Sequence, residues 1–67
     1  MPDLKIKIAR QEKGLTQIQL AEIVGTKKQS VNNWEHGRGI PGYDKLKELS
    51  KALGLPMEEL FEPAQPV

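Results

Sequence analysis

Apolar residues recur along the chain at helical spacing, in short pieces punctuated by glycines at 14, 25, 37, 39, 42 and 54. Asp3 can cap a first helix that ends before Gly14. Thr16, with Gln19 three residues on, has capping-box spacing for a second helix ending at Gly25. Within it Leu20 and Val24 form an i, i+4 core pair, with Ala21 on the inner side and Ile18 beside them. A third piece runs from Lys27 or Lys28 to His36. A fourth helix spans about 43 to 53, because Leu46, Leu49 and Leu53 share one face while Lys45, Lys47, Glu48 and Lys51 fall outside it. Pro56 suits the first turn of a final short helix carrying Met57, Leu60 and Phe61. No strand alternation stands out, so the pattern predicts an all-α bundle over residues 1–62 with a Pro-containing tail, 63–67.

The third piece is unusually polar. In "TKKQSVNNWEHG", 26–37, the apolar residues are Val31 and Trp34. At 100° per residue, turning these two inward puts Gln29, Asn32, Asn33 and His36 on the opposite side, with Lys28 at the edge. Amides, an ammonium and an imidazole can all hydrogen-bond to base edges. A solvated surface helix has the same composition, so periodicity alone leaves both readings open. Gln29 also has a rival use, because Thr26 to Gln29 is itself a capping-box spacing.

Length and composition narrow the functions. At 67 residues the chain has room for one core and no large cleft. It has no cysteine and one histidine, which excludes disulfides and leaves too few ligands for a zinc site. No cofactor is expected. No nucleophile–base pair, metal cluster or phosphate-binding loop is evident, so an enzyme is not expected either. No apolar run approaches 18 residues and the start lacks a long uncharged segment, which predicts a cytoplasmic protein without a membrane span or secretory signal. Residues 1–56 hold all ten Lys and Arg against six acids, while Glu58, Glu59 and Glu62 make the end acidic. A mildly basic body is compatible with a polyanion partner.

Spacing adds a sharper signal. Counted from Gln17, the run "QIQLAEIVGTKKQSVNNW" resembles the helix-turn-helix pattern: Leu20 and Ala21 at positions four and five, Val24 at eight, Gly25 at nine, Val31 at fifteen and Trp34 at eighteen. Ala21 must be small where two helices cross. Gly25 takes the left-handed conformation that reverses the chain. Together with "LKELSKALGLPMEELF", these segments make the chain similar to the DNA-binding domain of the Cro and lambdoid phage repressor family over about residues 4–61. That resemblance implies a compact five-helix domain whose second and third helices form the motif.

It also implies roles. The third helix would enter the major groove with Lys28, Gln29, Asn32 and Asn33 toward the bases, Gln and Asn suiting adenine and Lys suiting guanine. Thr16 and Gln17, at the start of the second helix, would sit by a phosphate, since backbone N–H groups and the helix dipole favour one there. Lys27, Ser30, His36 and Arg38 would flank the groove. For His36, a favourable place near a helix C-terminus is an equal reading. The loop "GRGIPGY" matches the family segment that passes over the DNA backbone, but with Arg38 as its one basic residue. Arg10 and Glu35 match an internal ion pair joining the first helix to the third. The same matching turns Ile6 and Ala9 inward and leaves Leu4 and Ile8 on an outer face, open to self-association or to cover by the tail. The expected partner is double-stranded DNA with a palindromic operator, bound by a homodimer in the nucleoid, and the expected role is transcriptional repression. The alternative is a protein-interaction module whose partner is a toxin or the transcription machinery.

Overall fold

A computed structural model describes residues 3–64. Four α-helices follow in order: α1, Lys5–Glu12; α2, Gln17–Val24; α3, Lys28–Glu35; and α4, Tyr43–Leu53. The fifth expected helix is a single 3-10 turn, Met57–Glu59. It stops after one turn because the chain beyond it is needed elsewhere. The carbonyls of Leu60 and Glu62 accept the backbone N–H groups of Ile6 and Lys5, each at 2.9 Å, and so close the start of α1.

That closure corrects the expected cap. The N-cap of α1 is Leu4, with no side-chain cap, and Asp3 instead accepts a hydrogen bond from Lys7 Nζ at 3.4 Å. Backbone from the far end of the chain satisfies donors that a local side chain was expected to take. Leu4 pairs with Pro63 in an isolated bridge, and Ala64 N donates to the Asp3 carbonyl at 2.7 Å. The first two residues of the expected tail therefore run beside the N-terminal segment. The rest of that tail lies outside the described residues. Lys5 adds ion pairs to Glu59 at 3.1 Å and Glu62 at 3.2 Å, and these carboxylates raise its pKa above the ordinary lysine value.

The core is built from Ile6 and Ala9 of α1, Leu20, Ala21 and Val24 of α2, Val31 and Trp34 of α3, Leu49 and Leu53 of α4, and Leu60. Leu4 packs half-buried against it, covered by the C-terminal segment rather than left open. Ile18 departs from its expected place beside the core pair and is 55% exposed. Its α2 neighbours Leu20, Ala21 and Val24 already fill the inward stripe of an eight-residue helix.

Local sequence sets α2. Gln19 N donates to Thr16 Oγ1 at 3.0 Å and Thr16 N to Gln19 Oε1 at 2.8 Å, a complete capping box worth about 1 kcal/mol at the threonine. At the other end Gly25 has φ +76°, a conformation in which a side chain is strained, and a Cβ there would meet Lys45 Nζ at 3.3 Å. That ammonium donates to the Gly25 carbonyl at 2.9 Å, placing a cation at the C-terminus of α2. The tight exit turns the chain directly into α3.

Candidate nucleic-acid interface

Helix α3 rests on two apolar anchors, Val31 with no exposed surface and Trp34 at 9% exposure. Between and beyond them, Lys28 and Gln29 are exposed while Ser30, Asn32 and Asn33 are half-buried. Lys27, His36 and Arg38 are exposed around them. The geometry therefore brings the expected groove residues onto one helix and its two ends. Thr16 and Gln17 stand at the start of the neighbouring helix, and an open notch of about 550 Å³ beside α2 is lined by Thr16, Gln17 and Lys28 among others.

Two apolar anchors are little to hold a helix. The remainder comes from a buried polar network. Arg10 Nε donates to Glu35 Oε2 at 2.7 Å and its Nη2 to Glu35 Oε1 at 3.3 Å, while Nη1 donates to the Leu15 carbonyl at 2.7 Å. The Glu35 side chain is 1% exposed and that of Arg10 11%. A buried charge is tolerated only when paired and hydrogen-bonded, and both conditions hold here. The network ties α1 and the α1–α2 loop to the end of α3. It also neutralises the one acid that α3 carries, so its outer face presents no unpaired negative charge.

Gln17 joins the same network. Its Nε2 donates to Glu35 Oε1 at 3.0 Å and to Asn32 Oδ1 at 3.2 Å. The sequence pointed to the backbone at this position and gave no sign of the side chain's role, because its partners lie fifteen and eighteen residues away. Gln29 is free of its rival use. The N-cap of α3 is Lys27 rather than Thr26, so no capping box forms, and Gln29 Nε2 instead donates to Asn33 Oδ1 at 3.1 Å. That bond was readable, since i, i+4 amides meet on a helix. His36 places Nδ1 2.8 Å from the Asn32 carbonyl, within the last turn of α3.

Both helix starts keep open donors. Among the described residues the N–H groups of Gln17 and Ile18 in α2, and of Lys28 and Gln29 in α3, have no protein acceptor. Lys27, Lys28 and Arg38 take part in no ion pair there. Arg38 N is itself held at 2.8 Å from the Asn33 carbonyl, which fixes where the loop leaves α3. No group of three or more His, Cys, Asp or Glu side chains that could hold a metal ion occurs among the described residues. No described helix is long and apolar enough to cross a membrane.

A short helix, a glycine turn and a second helix with a polar outer face define a helix-turn-helix unit. The helix-turn-helix family model matches residues 6–60, and the chain belongs to that family, of the Cro and C1 type. It is 48% identical over 50 residues to multiprotein-bridging factor 1 of Candida albicans, covering 75% of this chain and 33% of that protein. It is 38% identical over 57 residues to the HTH-type transcriptional activator BcrR of Enterococcus faecalis, covering 85% of this chain and 28% of that protein. The chain thus spans about a third of the length of these curated relatives. Among solved structures, the restriction-modification controller protein C.AhdI of Aeromonas hydrophila superposes with a TM-score of 0.74 at 30% identity, over 85% of this chain and 86% of that one. The fold is also that of a LexA repressor structure from Eubacterium rectale, with a TM-score of 0.78 at 22% identity over 94% of this chain and 67% of that one.

Proposed function

We propose that the chain is a sequence-specific double-stranded DNA-binding regulator that inserts α3 into the major groove. One observation carries this reading. The outer face of α3 offers Lys28, Gln29, Asn32 and Asn33 on a helix whose one acid is buried against Arg10. A lysine and three amides are groups that discriminate bases in the major groove. Lys28 and Gln29 are the exposed readers at the N-terminal end of the helix, which leads into the groove in this motif.

The open N–H groups at the start of α2 and the neighbouring Thr16 suit a phosphate oxygen. Lys27, Ser30, His36 and Arg38 contact the flanking backbone and set the register without reading sequence. The chain acts as a homodimer on a palindromic operator, with two copies of α3 about 34 Å apart, and represses transcription by occupying it. Being a controller of this kind is supported by the likeness to C.AhdI.

A protein-bridging role is the second reading, favoured by the identity to proteins named multiprotein-bridging factors. Ile18 and Ile23, each more than half exposed on α2, are apolar surface that such a partner could cover. Retention of random-sequence duplexes at several salt concentrations, followed by sequencing, separates the two. A symmetric enriched motif with affinity falling steeply in salt supports the DNA regulator. Absence of any enriched motif at every salt concentration refutes it and leaves the bridging role.

A further inference from the structure

His36 ends α3, and its ring is held in one orientation. Nδ1 lies 2.8 Å from the Asn32 carbonyl, which also accepts the His36 backbone N–H at 3.1 Å. A carbonyl oxygen can only accept, so Nδ1 carries the hydrogen. In the neutral ring the other nitrogen, Nε2, is then an acceptor without a hydrogen. It lies across the five-membered ring from Nδ1 and so points away from the carbonyl, on a side chain that is exposed.

This tautomer decides what the ring can do with an anion. The Nε2 lone pair repels a phosphate oxygen, whereas a proton added there makes both nitrogens donors and the ring a cation. The protonated ring has no counterion inside the protein. Among the described residues no carboxylate of α1, α2, α3 or α4 lies within ion-pair distance of it. Glu35, the adjacent acid, is turned inward to Arg10 and Gln17, and the next charge along the chain is the exposed cation Arg38. Resting on the DNA reading above, we propose that His36 holds a DNA phosphate only as an imidazolium, so that the chain takes up one proton from solvent on binding DNA and its affinity is governed by pH. Histidine is the side chain that ordinarily changes charge between pH 5 and 8, and His36 is the sole histidine of the chain. Proton uptake in that interval is therefore traceable to one ring, with the α-amino group as the other titrating candidate. Arg38 is the one basic residue of the loop after α3, so the imidazolium is a large share of the backbone grip on that side.

The whole chain is titrated onto a duplex selected from a random pool, from pH 5.5 to pH 8 at fixed ionic strength. Wild-type affinity should fall about ten-fold across that range, the worth of one charge-assisted bond, and its salt slope should be steeper by about one at pH 5.5 than at pH 8. Base preferences should not change with pH, because phosphate contacts do not read sequence. His36→Gln should bind at one level throughout, close to that of the wild type at pH 8. His36→Arg, a permanent cation, should bind at pH 8 as tightly as the wild type does at pH 5.5, a gain that loss of folding could not imitate. Calorimetry of binding near pH 7, in two buffers of different ionisation enthalpy, should register proton uptake by the wild type and none by His36→Gln. In the free protein at pH 8, nitrogen spectra of the imidazole should show the hydrogen on Nδ1. A hydrogen on Nε2 instead overturns the tautomer and the proposal with it. Wild-type affinity that is flat or rises with pH overturns the proposal, and so does a pH dependence that survives His36→Gln, which would belong to another group. Should no duplex be enriched at any pH, the DNA reading falls and this proposal with it; an enriched motif bound equally at pH 5.5 and pH 8 removes the proposal alone.

Discussion

Helices α3 and α4 both lie on the same small core, yet they are held to it by different means. Helix α4 buries Leu49 and Leu53, half-buries Leu46, and points Lys47, Glu48 and Lys51 to water. Its N-terminus and C-terminus are flanked by Gly42 and Gly54. Apolar burial dominates its inner face, and Lys45 adds one bond to the Gly25 carbonyl. Helix α3 has Val31 and Trp34 and then a buried glutamate, Glu35, roped by Arg10 and Gln17 to α1 and α2. A helix held from its buried side by a few strong bonds can spend the rest of its surface on amides. The difference explains how a stretch so polar is helical and fixed in place.

The contrast breaks most sharply at the ion pair. Glu35→Leu alone strands a buried guanidinium and should cost about 3–5 kcal/mol in urea unfolding. Adding Arg10→Met should recover much of that loss, because an apolar pair needs no solvation; strict additivity of the two changes would contradict the account. On α4, Leu49→Ala should cost about 2–5 kcal/mol by leaving a cavity, with no second-site change of a polar partner to restore it. At the start of α2, Thr16→Ala should cost about 1 kcal/mol through the lost cap.

Smaller effects sharpen the functional side. Gln29→Ala on α3 and Lys51→Ala on α4 should each leave stability within about 0.5 kcal/mol. Only the α3 change should relax the preference at a base pair, by about 1–3 kcal/mol, as scored by selection from random duplexes. Arg38→Ala should weaken all sites alike and reduce the salt slope by about one. The smallest effect belongs to Lys5→Met at the far end of the molecule, where the side chain pairs with Glu59 and Glu62. The raised pKa of Lys5 means that its contribution is complete below the ordinary lysine value of 10.5 and is lost as pH rises through the higher, folded value. The Tm difference between wild type and variant should be constant from pH 7 to about pH 10 and shrink above it.

What the sequence made legible is what short-range chemistry controls. The ends of α2 follow from Thr16, Gln19 and Gly25, and α4 follows from three leucines on one face and the glycine after them. The inward turn of Val31 and Trp34 follows from periodicity. Features made by distant segments were not legible. The start of α1 looked as if Asp3 should cap it, because nothing local shows that carbonyls from Leu60 and Glu62 arrive there. The same contact shortened the expected fifth helix to one turn. Ile18 is expected beside the core pair Leu20 and Val24 but is 55% exposed, because an eight-residue helix crossing α3 has one narrow inward stripe. In the candidate site, the identities of the exposed side chains were readable and the direction of their amides was not. That direction depends on α2 and α3 approaching within hydrogen-bond distance between Gln17 and Asn32.

The most direct measurement is a backbone amide map by NMR while a selected duplex is added to the labelled protein. The largest shifts are expected on Thr16 to Ile18, on Lys27 to Asn33 and on Arg38, with α4 beyond Asp44 nearly still. Shifts concentrated instead on α1 and the outer face of α4, with α3 unmoved, would contradict it.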